Sequence, residues 1–522
     1  MKRITTALIA VFLLPALVFS GGIVTNTNQS AAWTRYFARY ATTDIDGVYY
    51  NPAGLTKLSD GFHFSINNQF IFKTHTISND FAYLANGPDY VGDVKVLLFP
   101  DIYGAYNFGR FSVSVGFNPV GGGGSVTYNT GLPSFEMMSG VQLLSFLNPE
   151  IPTSAYSVNT YLKGTSAYLG IQVGVSYEIS DMLSVYGGAR YVNAVNNYEG
   201  YLKDLMINPT DPLVNPGGSM VSAPLYFSEL SDTTLYLADN VLYPAQDMAE
   251  ALPPADPINP LFVPVLQAFG VDPTGMTNAD AAAAFGTLGN EYTQTSLETG
   301  MAAQLTLDQE VEVKQTGSGF TPIIGVHFSP VDMIDIALKY EFKTKLQLTN
   351  QTTKDFIMDI DPETMAPITM FPDGAVTNAD IPSMLSGGIN IRPLPGLQIS
   401  GSFEYYWDKN VNWDGLEKKI EKNYFTIYGS AEYNIGGVVL VSASYGYDKC
   451  GVGKNYQSDM NYCLSATSFG FGGALNITDK LRINAGYVMA FYKDDNVEIP
   501  NLYTTTYKEK TNMFAVGIDF SF

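Results

Sequence analysis

The last ten residues, MFAVGIDFSF, place Phe514, Val516, Ile518, Phe520 and Phe522 on one side of an extended chain and Met513, Ala515, Gly517, Asp519 and Ser521 on the other. Successive side chains of a strand point to opposite faces, so this segment is greasy on one face and small or polar on the other. The alternation returns at 481–491, 397–407, 334–342 and 111–117. A soluble sandwich alternates too, and it is the connections that separate the two cases. Every second connection is tight (ISD near 180, SPVD near 330, PLPG near 394, IGG near 436, TDK near 479), and those between are long. Short turns at one end and long loops at the other mark a transmembrane β-barrel. Strand starts near 61, 94, 110, 160, 182, 308, 333, 377, 397, 421, 438, 463, 480 and 508 give fourteen, an even number as in single-chain barrels. The expected fold is all-β: a 14-stranded antiparallel transmembrane barrel over 61–522, closed because lipid offers no partner to an open strand edge.

Composition agrees. Charged residues are 15% of the chain, against about 25% in an ordinary soluble protein. Aromatic residues reach 13%, and no apolar run beyond the N-terminus is long enough for a spanning helix. Lys2 and Arg3 followed by an apolar stretch to Phe19 and then VFSGG read as a secretory signal peptide over 1–20, cut before Gly21. No Cys follows the cut, so a lipid anchor there is excluded. Cys450 and Cys463 flank the twelve residues GVGKNYQSDMNY between two strands paired as a hairpin, and in an exported protein they are expected to form a disulfide. The net charge of −22 leaves no basic footprint for nucleic acid. Residues 204–300 hold twelve Asp or Glu and no Lys or Arg.

Three segments fall outside the strand pattern. Residues 21–60 carry none, and a barrel this wide encloses space, so they are expected to plug the lumen. Within them Asn51, Pro52, Ala53 and Gly54 make a rigid turn. A loop at about 129–159 holds Phe135, Met137, Met138, Leu143, Leu144, Phe146 and Leu147. These read either as a groove that captures acyl chains or as a small helix packed on its own loop. A second loop, at about 203–300, has room for short helices at NPLFVPVLQAF and NADAAAAFGTL. In the third strand, Pro119 with Gly121, Gly122, Gly123 and Gly124 reads either as a flexible hairpin loop or as a break in strand pairing, hence a lateral opening.

SAAWTRYFARYATTDIDGVYYNPAGLTKLSDGFHFS (30–65) resembles the N-terminal hatch of the FadL family, outer-membrane transporters of long-chain fatty acids and other hydrophobic compounds. NPVG at 118–121 resembles that family's Pro-x-Gly at the end of the third strand, and 380–408 resembles its paired strands with a Pro near the start. The resemblance implies a fourteen-stranded barrel plugged by a hatch. It also implies capture of substrate by external loops, a pocket beside the hatch, and sideways exit at a kinked third strand. The chain departs from the family in carrying Trp33, Arg35, Tyr36, Phe37, Arg39 and Tyr40 where the hatch is usually rich in Ala and Gly, and in the size of its second loop.

The expected function is passive uptake of a hydrophobic small molecule across a bacterial outer membrane, foremost a long-chain fatty acid. Aromatic hydrocarbons by the same route, a structural or adhesive barrel, and a water-filled porin are the alternatives. Arg35, Arg39, Arg190 and Lys339 are candidates for a carboxylate head group. An enzyme is not expected. The three histidines, His63, His75 and His327, are scattered, and His63 with Ser65 should face the lumen rather than lipid. No metal or cofactor is expected. The partners expected are the ligand, outer-membrane lipid and the barrel assembly machinery, with the protein a monomer.

Overall fold

A computed structural model describes residues 30–522 except 148–150, 362, 363 and 365, so the expected signal peptide lies outside the described residues. Its wall is a closed barrel of fourteen antiparallel strands. In chain order these are β1 Gly61–Asn79, β2 Asp89–Phe108, β3 Phe111–Tyr128, β4 Tyr156–Ser180, β5 Leu183–Ile207 and β6 Gln309–Val331. β7 is Ile334–Glu341, resumed at Gln347–Lys354, and β8 is Val376–Asn378, resumed at Met384–Leu394. β9 Leu397–Tyr406, β10 Phe425–Ile435, β11 Val439–Lys449, β12 Ala466–Thr478, β13 Leu481–Tyr492 and β14 Tyr503–Ser521 complete the wall. Each strand pairs with the next, and β14 returns to β1 from His63↔Ser521 to Asn79↔Thr505. The ring therefore closes on itself.

The alternation read from sequence sorts the side chains as expected. On β14, Phe514 is 42% exposed while its neighbour Ala515 is fully buried. On β3, Phe111, Val113 and Val115 point out, and Ser112 and Ser114 are buried in the lumen. β4 and β5 run to 25 residues each, well beyond the roughly 10 that cross a bilayer, so they project past it on the side of the long connections.

The second long connection is a folded helical unit rather than a loop with two short helices. It contains α1 Ala223–Leu237, α2 Tyr243–Glu250, α3 Val263–Ala268 and α4 Asn278–Leu305. α4 begins on a capping box, the Thr277 side chain and Asp280 each bonding the other's backbone N–H. Around α4, Leu242, Phe262, Leu266 and Phe285 form a core of their own. The sequence pattern shows only the first third of α4, because Thr, Gly and Ala further on carry little periodic signal.

Residues 30–58 lie inside the wall. Two short helices, Ala31–Arg35 and Gly47–Tyr50, and a 3₁₀ turn, Pro52–Lys57, are almost wholly buried. Their rings pack with lumen-facing residues of distant strands: Trp33, Phe37, Tyr49 and Tyr50 share a cluster with Tyr103, Val120, Tyr168, Val192 and Val488. The wall makes room by dispensing with side chains. A Cβ at Gly486 would lie 2.7 Å from the Arg35 nitrogen.

Candidate functional site

The ladder between β2 and β3 stops part-way up. Val94 pairs with Val126 and Ile102 with Phe117, but 95–101 of β2 and 118–125 of β3 do not pair with each other. Both keep pairing on their far sides, β2 with β1 and β3 with β4, so the opening is a slot in an otherwise intact wall. Pro119 brings no N–H to the ladder. Gly122 and Gly124 take the left-handed conformation, at φ 88° and 78°. The β3–β4 register also slips at Pro119/Gly121 and again at Gly121/Gly124. On the β2 side the Asn68 amide holds the displaced backbone, donating to the Leu97 carbonyl at 3.1 Å and accepting from the Phe99 N–H at 2.8 Å. Leu97 and Leu98 stand exposed on the outer side.

Behind the slot lies a cavity of about 330 Å³, lined among others by Gly122, Gly123, Gly124, Val96 and Phe99. Its walls carry the rings of Tyr424, Tyr428, Tyr462 and Tyr492, the apolar Leu464, Val488 and Met513, and the charged Lys73, Glu404, Asp448 and Glu509. Trp33 of the plug lines it too, stacked 4.6 Å from Phe37 and edge-on to Tyr428 at 5.9 Å. Sequence reasoning missed these ring positions, though the alternation of β10 and β13 already turned Tyr428 and Val488 inward.

The turn at Asn51, Pro52, Ala53 and Gly54 is anchored elsewhere. The Asn51 amide donates to the Thr42 carbonyl at 2.8 Å and to His327 Nδ1 at 2.9 Å. The Pro52 carbonyl accepts from Ser176 Oγ at 2.6 Å. Ser176 is eight residues along β4 from Tyr168, the partner of Gly121, so the turn sits well below the slot and not beside it. Gly54 has no room for a side chain: a Cβ would lie 2.6 Å from the Thr42 oxygen. Lys57 completes the anchor on Glu178 at 2.6 Å.

The capture candidates do form helix, Pro133–Glu136 and Gln142–Leu147 joined by a wider turn at Met137–Val141. The apolar side chains are spent on packing, however. Phe135 is buried against Phe356 at 5.5 Å, and Leu144 and Leu147 are buried with Tyr156, Leu205 and Phe227. Met137, Met138 and Leu143 are half-buried, and the Phe146 side chain lies outside the described residues. Of the two readings, groove or small packed helix, the described side chains have the packing of the second. Glu136, fully buried, fixes the helix by accepting from Tyr90 Oη at 2.5 Å and Tyr156 Oη at 2.7 Å.

The head-group candidates are also engaged. Arg35 is paired with Glu432, and Arg39 with Asp44 at 2.8 Å and Asp46 at 2.5 Å. Arg190 meets Glu341 at 2.6 Å, and Lys339 meets the same carboxylate at 2.7 Å while donating to the Tyr49 carbonyl at 2.6 Å. Arg35 and Lys339 fasten the plug to the wall, Arg39 braces the plug from within, and Arg190 joins two wall strands. Of the scattered pair, His63 bonds Ser521 and the Ser59 carbonyl, and Ser65 bonds Asp519. Cys450 and Cys463 are joined, with Cα atoms 6.2 Å apart.

Comparison of folds follows from this geometry. A Pseudomonas aeruginosa FadL homologue superposes with a TM-score of 0.57 at 12% identity, over 96% of this chain and 98% of that one. The fold is that of the FadL-type barrels. The Pseudomonas putida toluene transporter TodX also superposes, with a TM-score of 0.51 at 12% identity, over 96% of this chain and all of that one. No protein-family model and no curated protein sequence matches the chain.

Proposed function

We propose that the protein is a bacterial outer-membrane channel for passive uptake of hydrophobic small molecules, released sideways into the bilayer. The observation that carries this reading is the slot between β2 and β3, opening beside a cavity lined by aromatic rings, Trp33 of the plug among them. An apolar solute in that cavity is about 0.8 kcal/mol better off per buried CH₂ than in water, and through the slot it meets lipid without crossing water. No covalent step is needed. The FadL-type fold and the outward apolar belt support the location.

A long-chain fatty acid is the first ligand class to test, because the resemblance of residues 30–65 points there. One observation favours the second reading, an uncharged hydrophobe: each arginine or lysine expected to meet a carboxylate is already in an ion pair. Gly123 gives the test a clean handle, since a Cβ there meets nothing within 4 Å. Gly123→Phe should place a ring in the slot of a folded barrel. Cells are expected to take up labelled oleate or labelled toluene several-fold more slowly, with whichever probe is carried naming the class. Unchanged uptake of both by a folded variant would refute the lateral route.

A further inference from the structure

The same cavity carries an electrostatic imbalance. Four charged side chains line it: Lys73, Glu404, Asp448 and Glu509. Lys73 is the one cation among the described lining residues, and Glu509 holds it at 3.0 Å. Glu404 accepts hydrogen bonds from Tyr40 Oη at 2.5 Å and Tyr406 Oη at 2.8 Å. Asp448 accepts one from Thr426 Oγ1 at 2.8 Å. Among the described residues neither of these carboxylates has an ion-pair partner within 4.0 Å. Lys339, on the neighbouring wall, is held by Glu341 at 2.7 Å. Three lining carboxylates thus stand against one lining cation, with Lys339 acting on Glu404 only from beyond ion-pair distance, an imbalance that an added cation would relieve.

The walls around them say what kind of cation. Tyr424, Tyr428, Tyr492 and Trp33 turn rings to the same space. Aromatic faces attract an organic ammonium, and a desolvated carboxylate beside them adds to that attraction. An inorganic ion would keep its water and leave the rings unused. We infer that this cavity selects hydrophobic amines: an ammonium head at Asp448 and Glu404 with its apolar body among the rings. A fatty-acid carboxylate would be repelled by the same groups. This rests on the cavity being the ligand site and deepens that reading by naming the head group.

The experiment uses three probes with one apolar body: 4-butylbenzylamine, 4-butylbenzyl alcohol and 4-butylbenzoate. Their binding to the purified full-length barrel in neutral detergent is followed by tryptophan fluorescence and calorimetry. The amine should bind about tenfold more tightly than the alcohol, and the benzoate weakest. In Asp448→Asn, and separately in Glu404→Gln, the ratio of amine to alcohol affinity should fall towards one. Retention of the folded band on unheated gels separates loss of selectivity from loss of fold. If alcohol and amine bind equally and neither variant alters the ratio, the amine inference is wrong while the hydrophobe reading stands. If the benzoate binds best, it is wrong in favour of an anionic ligand. If none of the three binds, the cavity reading falls with it.

Discussion

Asp459, in the loop closed by Cys450 and Cys463, accepts a hydrogen bond from the backbone N–H of Ser134 at 2.7 Å. That contact joins two loop segments more than 300 residues apart and gives the short helix Pro133–Glu136 a carboxylate at its start. The cross-link holds a short loop whose closure is worth about 3 kcal/mol in the chain-entropy model. Cys450→Ser with Cys463→Ser should therefore loosen both partners. Hydrogen exchange is expected to rise in 451–462 and also in 132–147, with the barrel strands unchanged. A rise confined to 451–462 would mean that the helix does not depend on the loop.

Arg39 neutralises Asp44 and Asp46, and all three belong to the plug. Asp44 is also tied to the wall through Arg482 at 3.2 Å. Asp44 keeps Arg482, but Arg39→Leu leaves the buried Asp46 without its cation, a change that typically costs about 3–5 kcal/mol. Limited proteolysis of the folded variant should cut within 30–58, where the wild type resists. N-terminal sequencing of the trimmed barrel locates the cut. Equal resistance of the two proteins would count against the ion pairs as the plug's fastening.

The slot depends on particular glycines. Gly122 has φ 88°, and a Cβ there would lie 2.4 Å from the Ser166 carbonyl oxygen, whereas Gly123 has open space. Gly122→Ala should destabilise the barrel by at least about 1–2 kcal/mol, the cost of a left-handed L-residue, and Gly123→Ala should be near neutral. Unfolding temperatures in detergent compare them directly, and similar losses for the two would remove the conformational argument.

Asp408, in the loop after β9, is 1% exposed, and burial pushes its pKa up to about 6 although the Tyr424 N–H donates to it at 2.8 Å. Its folded-state pKa lies above the unfolded value near 4, so the folded state holds the proton more tightly. Stability should rise as pH falls from above 6 towards 4, by on the order of 2 kcal/mol. In Asp408→Asn that part of the pH dependence should vanish. A melting-temperature series from pH 8 to pH 5 on both proteins measures it, and parallel curves would exclude Asp408 as the source.

How far the sequence speaks can be judged at single residues. The strand starts at Gly61 and Leu397 were legible because two-residue alternation meets a turn there. The start of β4 was placed near 160 instead of Tyr156, since Tyr156 and Val158 pack against the helical cap and break the barrel's face rule. Pro119 and the glycines announced a break, but not that Gly122 and Gly124 would bear the unusual backbone while Gly123 would not. The pairing of Arg35 with Glu432 could not be read at all. It spans 397 positions and follows from how a plug seats in a closed ring, which no local pattern encodes.

The helix Ala31–Arg35 rests chiefly on β12, β13 and β14. A segment at residues 31–35 is thus held by strands made more than 400 residues later. Loop closure over such a separation cannot occur early, so the plug has no seat until the ring is nearly complete. A barrel lacking β12, β13 and β14 would thus present an open sheet edge and an unseated plug on the same molecule.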